Sequence, residues 1–397
     1  MAKGYQQLSR RCRRGYRDGM HMTPVRAVAC SLTLLLPLAA ACDRSSPAPP
    51  AATPAPAPAP APAAPSGPRV YVSDETGSRV VVINPETRQV AQVIDVGKRP
   101  RGISASADGR TVYVALSGSP IAGPGVDESK LPPADRAADG IGVIDLASGT
   151  LVRKYQSGQD PEAFAISKDG RTLFISNEET AELSALDLES GTIKARVKVG
   201  EEPEGVTIRP DGRVVYVTCE GTNDVRAVDV ASLKVVATIP TGPRPRSIAF
   251  DLAGKTGFVT AENSASLTVF DTATHKVTKT LTFPRTAGSP TPPRPMGQVV
   301  SPDGARLFVS LGRAKSVAIV EIASLAIKGA IEDVGTRPWG IGISPDGRQL
   351  YTANGPSGDV TIIDTASGKV EGRIAVGGSP WGIAVVAGAT RTQTGGF

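Results

Sequence analysis

Apolar positions along this chain come in short alternating runs, and the runs repeat as one unit. The unit is clearest at Arg337–Asn354, RPWGIGISPDGRQLYTAN. A Pro-x-Gly opening leads into the apolar run Gly340–Ser344, Pro345-Asp346-Gly347 turns the chain, and Gln349–Asn354 returns with alternating apolar positions. Asp-Gly between two such runs predicts a hairpin, because Gly tolerates positive φ and the Asp side chain accepts from nearby backbone N–H groups. The unit recurs from Pro100, Pro161, Pro203, Pro245 and Pro295, and as a half-copy, PWGIAVV, from Pro380. Each full copy is followed by a second hairpin of the form VxVIDxASGxVxxxIxVG.

The seven leading prolines, at 100, 161, 203, 245, 295, 338 and 380, are spaced by 61, 42, 42, 50, 43 and 42 residues. Four short strands in about 42 residues suit one propeller blade, so the pattern predicts an all-β, seven-bladed β-propeller. The strands Val70–Ser73, Arg79–Ile83 and Val90–Val96 lack an inner strand before them, and Gly382–Val386 lacks partners after it. The predicted solution is that the C-terminal strand closes the N-terminal blade. This gives a leader over 1–41, a Pro/Ala-rich linker over 42–68, the propeller over 69–387 and a disordered tail over 388–397.

The leader changes the reading of the charge. A formal net charge of +6 suggests a basic protein. Residues 1–41 hold seven basic residues and one acid, however, and the remainder balances. That balance leaves no basic face and argues against nucleic acid. Met22–Arg26 reads as a positive n-region and Ala27–Leu38 as an apolar segment too short to span a bilayer. It ends in Ala39-Ala40-Ala41-Cys42, which resembles a bacterial lipoprotein signal; the resemblance implies a lipid on Cys42 and a periplasmic, membrane-anchored protein, with plain secretion or a cell-surface location as alternatives. The Ala-Pro alternation of Ser45–Pro68 favours an extended, semi-rigid stalk. Cys219 alone lies beyond Cys42, so no internal disulfide framework or zinc cluster can form in the propeller.

The internal repeat separates scaffold from site: a residue present in every blade serves the blade. Asp145, Asp187, Asp229, Asp271 and Asp364, with Glu321 and Asn84 as variants, recur at the end of the third strand and should accept hydrogen bonds from the following turn. The irregular features are elsewhere. The insertions Ser117–Gly140 and Pro284–Arg294 both fall on the face where the inner strands begin, which is where enlarged loops build sites. The residue after each leading proline should rim the central funnel there. Around the ring these are Arg101, Glu162, Glu204, Arg246, Met296, Trp339 and Trp381. Before the prolines stand Arg99, Asp160, Glu202, Arg244, Arg294, Arg337 and Ser379. The charged set reads either as a ligand site or as interblade salt bridges, and the two tryptophans either as a binding platform or as packing beneath the rim.

Catalytic constellations are sparse. His275 lies in a turn on the opposite face, which argues against a funnel-based Ser-His-Asp or Cys-His system. Cys219, ending a second strand, reads as a small buried hydrophobe. Asp160, Glu162, Glu202 and Glu204 offer oxygen ligands for a hard cation, but their spacing across blades cannot be read from the sequence, and no metal site is assigned.

The strand ends Tyr71-Val-Ser-Asp74, Phe174-Ile-Ser-Asn177 and Tyr216-Val-Thr-Cys219 resemble the YVTN repeat of seven-bladed propellers. Within that group, KRPRGISAS at Lys98, DPEAFAIS at Asp160, EPEGVTIRPDG at Glu202, RPRSIAF at Arg244 and SPWGIAVV at Ser379 are most similar to the propeller associated with pyrroloquinoline-quinone-dependent catabolism. The resemblance implies a non-enzymatic binding or accessory protein whose partner is a quinoprotein dehydrogenase or a cytochrome. It also raises pyrroloquinoline quinone as a ligand, held by Arg101 and Arg246 and stacked on Trp339 and Trp381. The alternative is a hydrolase or isomerase resembling the seven-bladed lactonases, with Glu162 or Glu204 as general base and Arg101 or Arg246 steadying an oxyanion.

Overall fold

In the computed structural model, residues 67–121, 127, 130–285 and 291–388 are described. The leader, Cys42, nearly all of the linker and the tail beyond 388 lie outside them. The described chain folds into seven four-stranded antiparallel sheets. We number these blades 1–7 in chain order, starting at Arg69. Blade 1 is closed by the last strand, Pro380–Val386, which pairs with Arg69–Asp74 in the register Val70↔Val385 and Tyr71↔Ala384. The predicted closure is therefore present, and it leaves no gap between first and last blade.

Burial explains the strand composition. The second strand of a blade is covered on both sides by neighbouring blades, so it is apolar at nearly every position: Val214–Cys219 is buried throughout. Outer strands face water along one side, and Val152 and Val236 are exposed there. Between blades 4 and 5, Tyr216 packs against Phe250 and Phe270 with ring centroids 5.1 and 5.5 Å apart. Fully burying each such side chain contributes about 1.5–3 kcal/mol. The recurring Asp is scaffold: Asp145 accepts from the Ser148 N–H at 2.7 Å, and Asp364 accepts from Ser367 at the same distance.

Two details differ from the sequence reading. Inner strands start at the leading proline itself, as in Pro338–Ile343. In blade 6 the inner strand is cut to Gln298–Val300. Met296 therefore does not begin a strand or rim the funnel; it is 1% exposed, its N–H donating to the Ser310 carbonyl. The preceding insertion, ending Pro292-Pro293-Arg294-Pro295, has few N–H groups with which to extend the ladder.

Candidate active site

Each blade ties the start of its inner strand to the end of its second strand. The N–H of Glu178 donates to the Asp160 carbonyl at 3.0 Å, Glu220 to Glu202 at 2.9 Å and Glu262 to Arg244 at 2.9 Å. The acceptors sit before the leading prolines in the left-handed region, with φ of 53° at Asp160, 50° at Glu202 and 59° at Arg244. A non-glycine residue held there costs on the order of 1 kcal/mol, and the cost recurs along the funnel face. Hydroxyls of neighbouring blades hold the rim from behind. Ser73 Oγ donates to the Arg101 carbonyl at 2.6 Å, Ser176 to Glu204 at 2.6 Å, Thr260 to Met296 at 2.7 Å and Ser310 to Trp339 at 2.9 Å.

On this frame the charged rim residues meet as two arginine-centred clusters. Arg101, 5% exposed, reaches into blade 3, where it contacts Asp160 and Glu162 directly and Glu178 at 4.0 Å. Arg246, 7% exposed, binds Glu204 at 2.5 Å, Glu262 at 2.6 Å and Glu220. Both arginines are thus enclosed by carboxylates, and the interblade salt bridges are real. Buried in this way, neither has a face to offer a polyanion.

Glu178, Glu220 and Glu262 were not singled out by sequence. All three follow a second strand directly, as does Glu75, which pairs with Arg99 at 3.1 Å. The other blades carry Ser117, Gly312 and Gly355 in the same register. The signal was a blade-particular acid in a second register, one turn away from the leading prolines.

These carboxylates differ in protonation. Burial would raise Asp160, yet Arg101 and the Ser117 Oγ hold it below its usual value. Glu204 and Glu262 are likewise held low against burial, chiefly by Arg246. Glu178 goes the other way: removal of water, with the charges of Asp160 and Glu204, pushes it up to about 7 despite Arg101. Its side chain is 35% exposed, far more than Glu162 at 4% or Glu220 at 4%. The oxygens of Asp160, Glu162 and Glu178 lie within 4.8 Å of one another, but the Arg101 cation already sits among them.

The remaining arc is aromatic. Trp339 and Trp381, both half-buried, stack with centroids 5.8 Å apart at 23°. The Arg337 guanidinium lies 4.6 Å from the Trp339 ring centre and Arg246 5.1 Å from it. Arg337 makes no ion pair with any described carboxylate; burial, with the charges of Arg246, Arg313 and Arg244, holds it below the usual arginine value against the opposing pull of Glu262. Away from the funnel, His275 Nε2 lies 3.1 Å from the Tyr216 hydroxyl. Burial pushes the Cys219 thiol up to about 12, so it is no nucleophile.

Residues 198–375 match the family model described as Lactonase, 7-bladed beta-propeller. The fold is that of a seven-bladed propeller. The periplasmic gluconolactonase of Pseudomonas aeruginosa is 21% identical, with a TM-score of 0.66 over 81% of this chain and 99% of that one. A candidate 6-phosphogluconolactonase of Bacteroides fragilis is 18% identical, with a TM-score of 0.65 over 82% and 99%. Hydrazine synthase of Kuenenia stuttgartiensis is 20% identical, with a TM-score of 0.60 over 72% and 89%. At these identities the likeness is one of fold. Antigen Lp49 of Leptospira interrogans is 28% identical over 109 residues, 28% of this chain. The match thus spans 23% of that curated relative's length.

These findings correct one expectation. The reading as a non-enzymatic accessory to quinone-dependent catabolism is overturned by the match of residues 198–375 to the lactonase family model, which favours the hydrolase alternative. The arginines count against the quinone, because a polyanion would need Arg101 and Arg246 and carboxylates already engage both; the same ion pairs count against either arginine as the group that steadies an oxyanion.

Proposed function

We propose that the chain is a lactone hydrolase working from the funnel face. The observation that carries this is Glu178: a half-exposed carboxyl with a pKa near 7, tied by its backbone to the funnel rim. A general base works best when its pKa lies near the operating pH. Deprotonated Glu178 accepts a proton from water as the water oxygen attacks the lactone carbonyl carbon. The Arg337 guanidinium, near Glu262 but in no ion pair with a described carboxylate, offers charge to the developing oxyanion. Trp381 supplies a flat apolar face for the ring of the substrate. Glu162 and Glu204, the bases first considered, are ion-paired with Arg101 and Arg246, so the base role passes to Glu178.

The test is a panel of aliphatic and aromatic lactones assayed across pH with the parent and Glu178→Gln. Turnover in the parent should rise through about pH 7, where Glu178 loses its proton, and should drop at least ~100-fold in the variant. Activity equal in both, or none on any lactone, would sink the reading.

We further propose that the protein is exported and carries a lipid on Cys42. The support is the run Ala39–Cys42 and the Pro/Ala stretch after it. Full-length protein should partition into detergent and Cys42→Ser should not; identical partitioning would refute the anchor.

A further inference from the structure

We propose that Glu204 and Glu220 share one proton and form the acid that serves the leaving group, Glu204 facing the funnel and Glu220 held behind it as a positioning residue. This rests on the hydrolase reading above and adds a second pair of groups to the same site.

The geometry brings the two carboxyls together. Arg246 Nη1 contacts both Glu204, at 2.5 Å, and Glu220, so the two carboxyls crowd one donor nitrogen. Nε and Nη2 of the same guanidinium bond Glu262 Oε2 at 2.9 and 2.6 Å, so one cation serves three carboxyls. Arg244 Nε reaches the far oxygen of Glu220 at 2.6 Å. Around Arg99, Arg101, Arg244, Arg246 and the nearby Arg337 stand seven carboxylates: Glu75, Asp160, Glu162, Glu178, Glu204, Glu220 and Glu262. Five cations do not neutralise seven buried or half-buried anions, and two carboxylates drawn to one nitrogen do not both ionise readily.

The proton belongs with the deeper carboxyl. Glu220 is wedged between two cations, its Oε1 against Arg246 Nη1 and its other oxygen accepting from Arg244 Nε. Burial, then the charge of Glu204, pushes Glu220 up to about 10, while Glu204 stays below its usual value. Glu204 is the more exposed of the two, 13% against 4%. The reserve is therefore behind, and the outlet in front.

In the reaction, water gives its proton to Glu178 as its oxygen bonds the carbonyl carbon. When the tetrahedral intermediate collapses, the ring C–O bond breaks and its electron pair stays on the alkoxide oxygen. The dyad's proton, handed from Glu220 to Glu204, goes to that alkoxide. The products are a carboxylic acid and an alcohol. Solvent then carries the Glu178 proton back to the dyad.

Infrared spectroscopy of the full chain tests the shared proton without needing turnover. At about pH 8.5, between the ranges of Glu178 and Glu220, the parent should show the carbonyl stretch of a buried protonated carboxyl. Glu220→Gln should lose that band. Glu204→Gln, made in parallel, should lose it too and carries the test if the first variant fails to fold. Kinetics test the acid role. On an aliphatic lactone Glu220→Gln should lower kcat about 100-fold with KM little changed, whereas an aryl lactone, whose phenolate leaves unaided, should be spared. A parent with no band, a band surviving in both variants, or equal losses on both lactones would overturn the proposal. A band present in the parent with no lactone turned over would leave the shared proton standing and remove its acid role along with the hydrolase reading.

Discussion

Thr218 Oγ1 donates to the carbonyl of Arg246 at 3.1 Å, so the second strand of blade 4 fixes the rim residue of blade 5. The same oxygen accepts from the Gly205 N–H at 2.7 Å. Thr218→Val keeps the shape and removes both bonds, leaving a backbone donor and acceptor unpaired in a buried seam. Stability should fall by about 1–3 kcal/mol, read as a shift in denaturant midpoint at unchanged slope. A silent substitution would mean that the seam does not depend on the hydroxyl. Ala115 and Ala353 occupy the equivalent position in blades 2 and 7, so those two seams do without it.

The carboxyl clusters give stability a pH dependence whose sign follows from the shifts. Glu178 and Glu220 are raised from 4.5 to about 7 and about 10. The folded chain therefore holds more protons than the unfolded one across those windows, and stability declines as pH rises through them. Asp160, Glu204 and Glu262 are lowered, so their contribution is present above the ordinary carboxyl range and fades as pH falls below it. Thermal melting of the parent should lose stability between neutral pH and about pH 10, the value to which Glu220 is raised. Glu220→Gln should flatten that decline. An unchanged slope in the variant would place the retained proton on another group.

The ring was legible because its signals are local. Asp-Gly turns, leading prolines and a period near 42 residues are read within one unit at a time. The site was legible in part. Arg101, Glu162, Glu204 and Arg246 were found by taking the residue after each proline, and the structure brings them together in pairs. Glu178, Glu220 and Glu262 were missed because they lie in a second register, at the end of the neighbouring strand. That the arginines are enclosed by acids could not be read at all, since it depends on how adjacent blades approach. Met296 failed for a different reason, the proline-rich insertion that shortens its strand to three residues.

Closure of the ring predicts the effect of truncation. The strand Pro380–Val386 supplies the inner edge of blade 1, and its Gly382 N–H donates to Ser73 Oγ at 2.9 Å. A chain ending at Ser379 exposes the edge of Arg69–Asp74 and removes Trp381 from the funnel. It should melt well below a chain ending at Gly388, or aggregate. Coincident melting curves for the two would show that the ring does not need this strand.

The aromatic arc can be tested through its own optics. Trp339 and Trp381 are both of the tryptophans in the chain, so intrinsic fluorescence and the exciton signal of stacked indoles report on this place alone. At 5.8 Å and 23° the pair should give a far-ultraviolet circular-dichroism couplet, abolished by either Trp339→Phe or Trp381→Phe. The stack is worth about 0.5–1.5 kcal/mol beyond the area buried, so both variants should fold. Trp339 already has an indole and two guanidinium groups around it, which leaves Trp381 as the ring that receives substrate. Trp381→Ala should therefore raise KM for a lactone with little change in kcat. Trp339→Ala should depress both parameters, because it also releases Arg337 from its platform. A parent without the couplet would disprove the stacking, and a Trp381→Ala variant with unaltered KM would remove this arc from the substrate site.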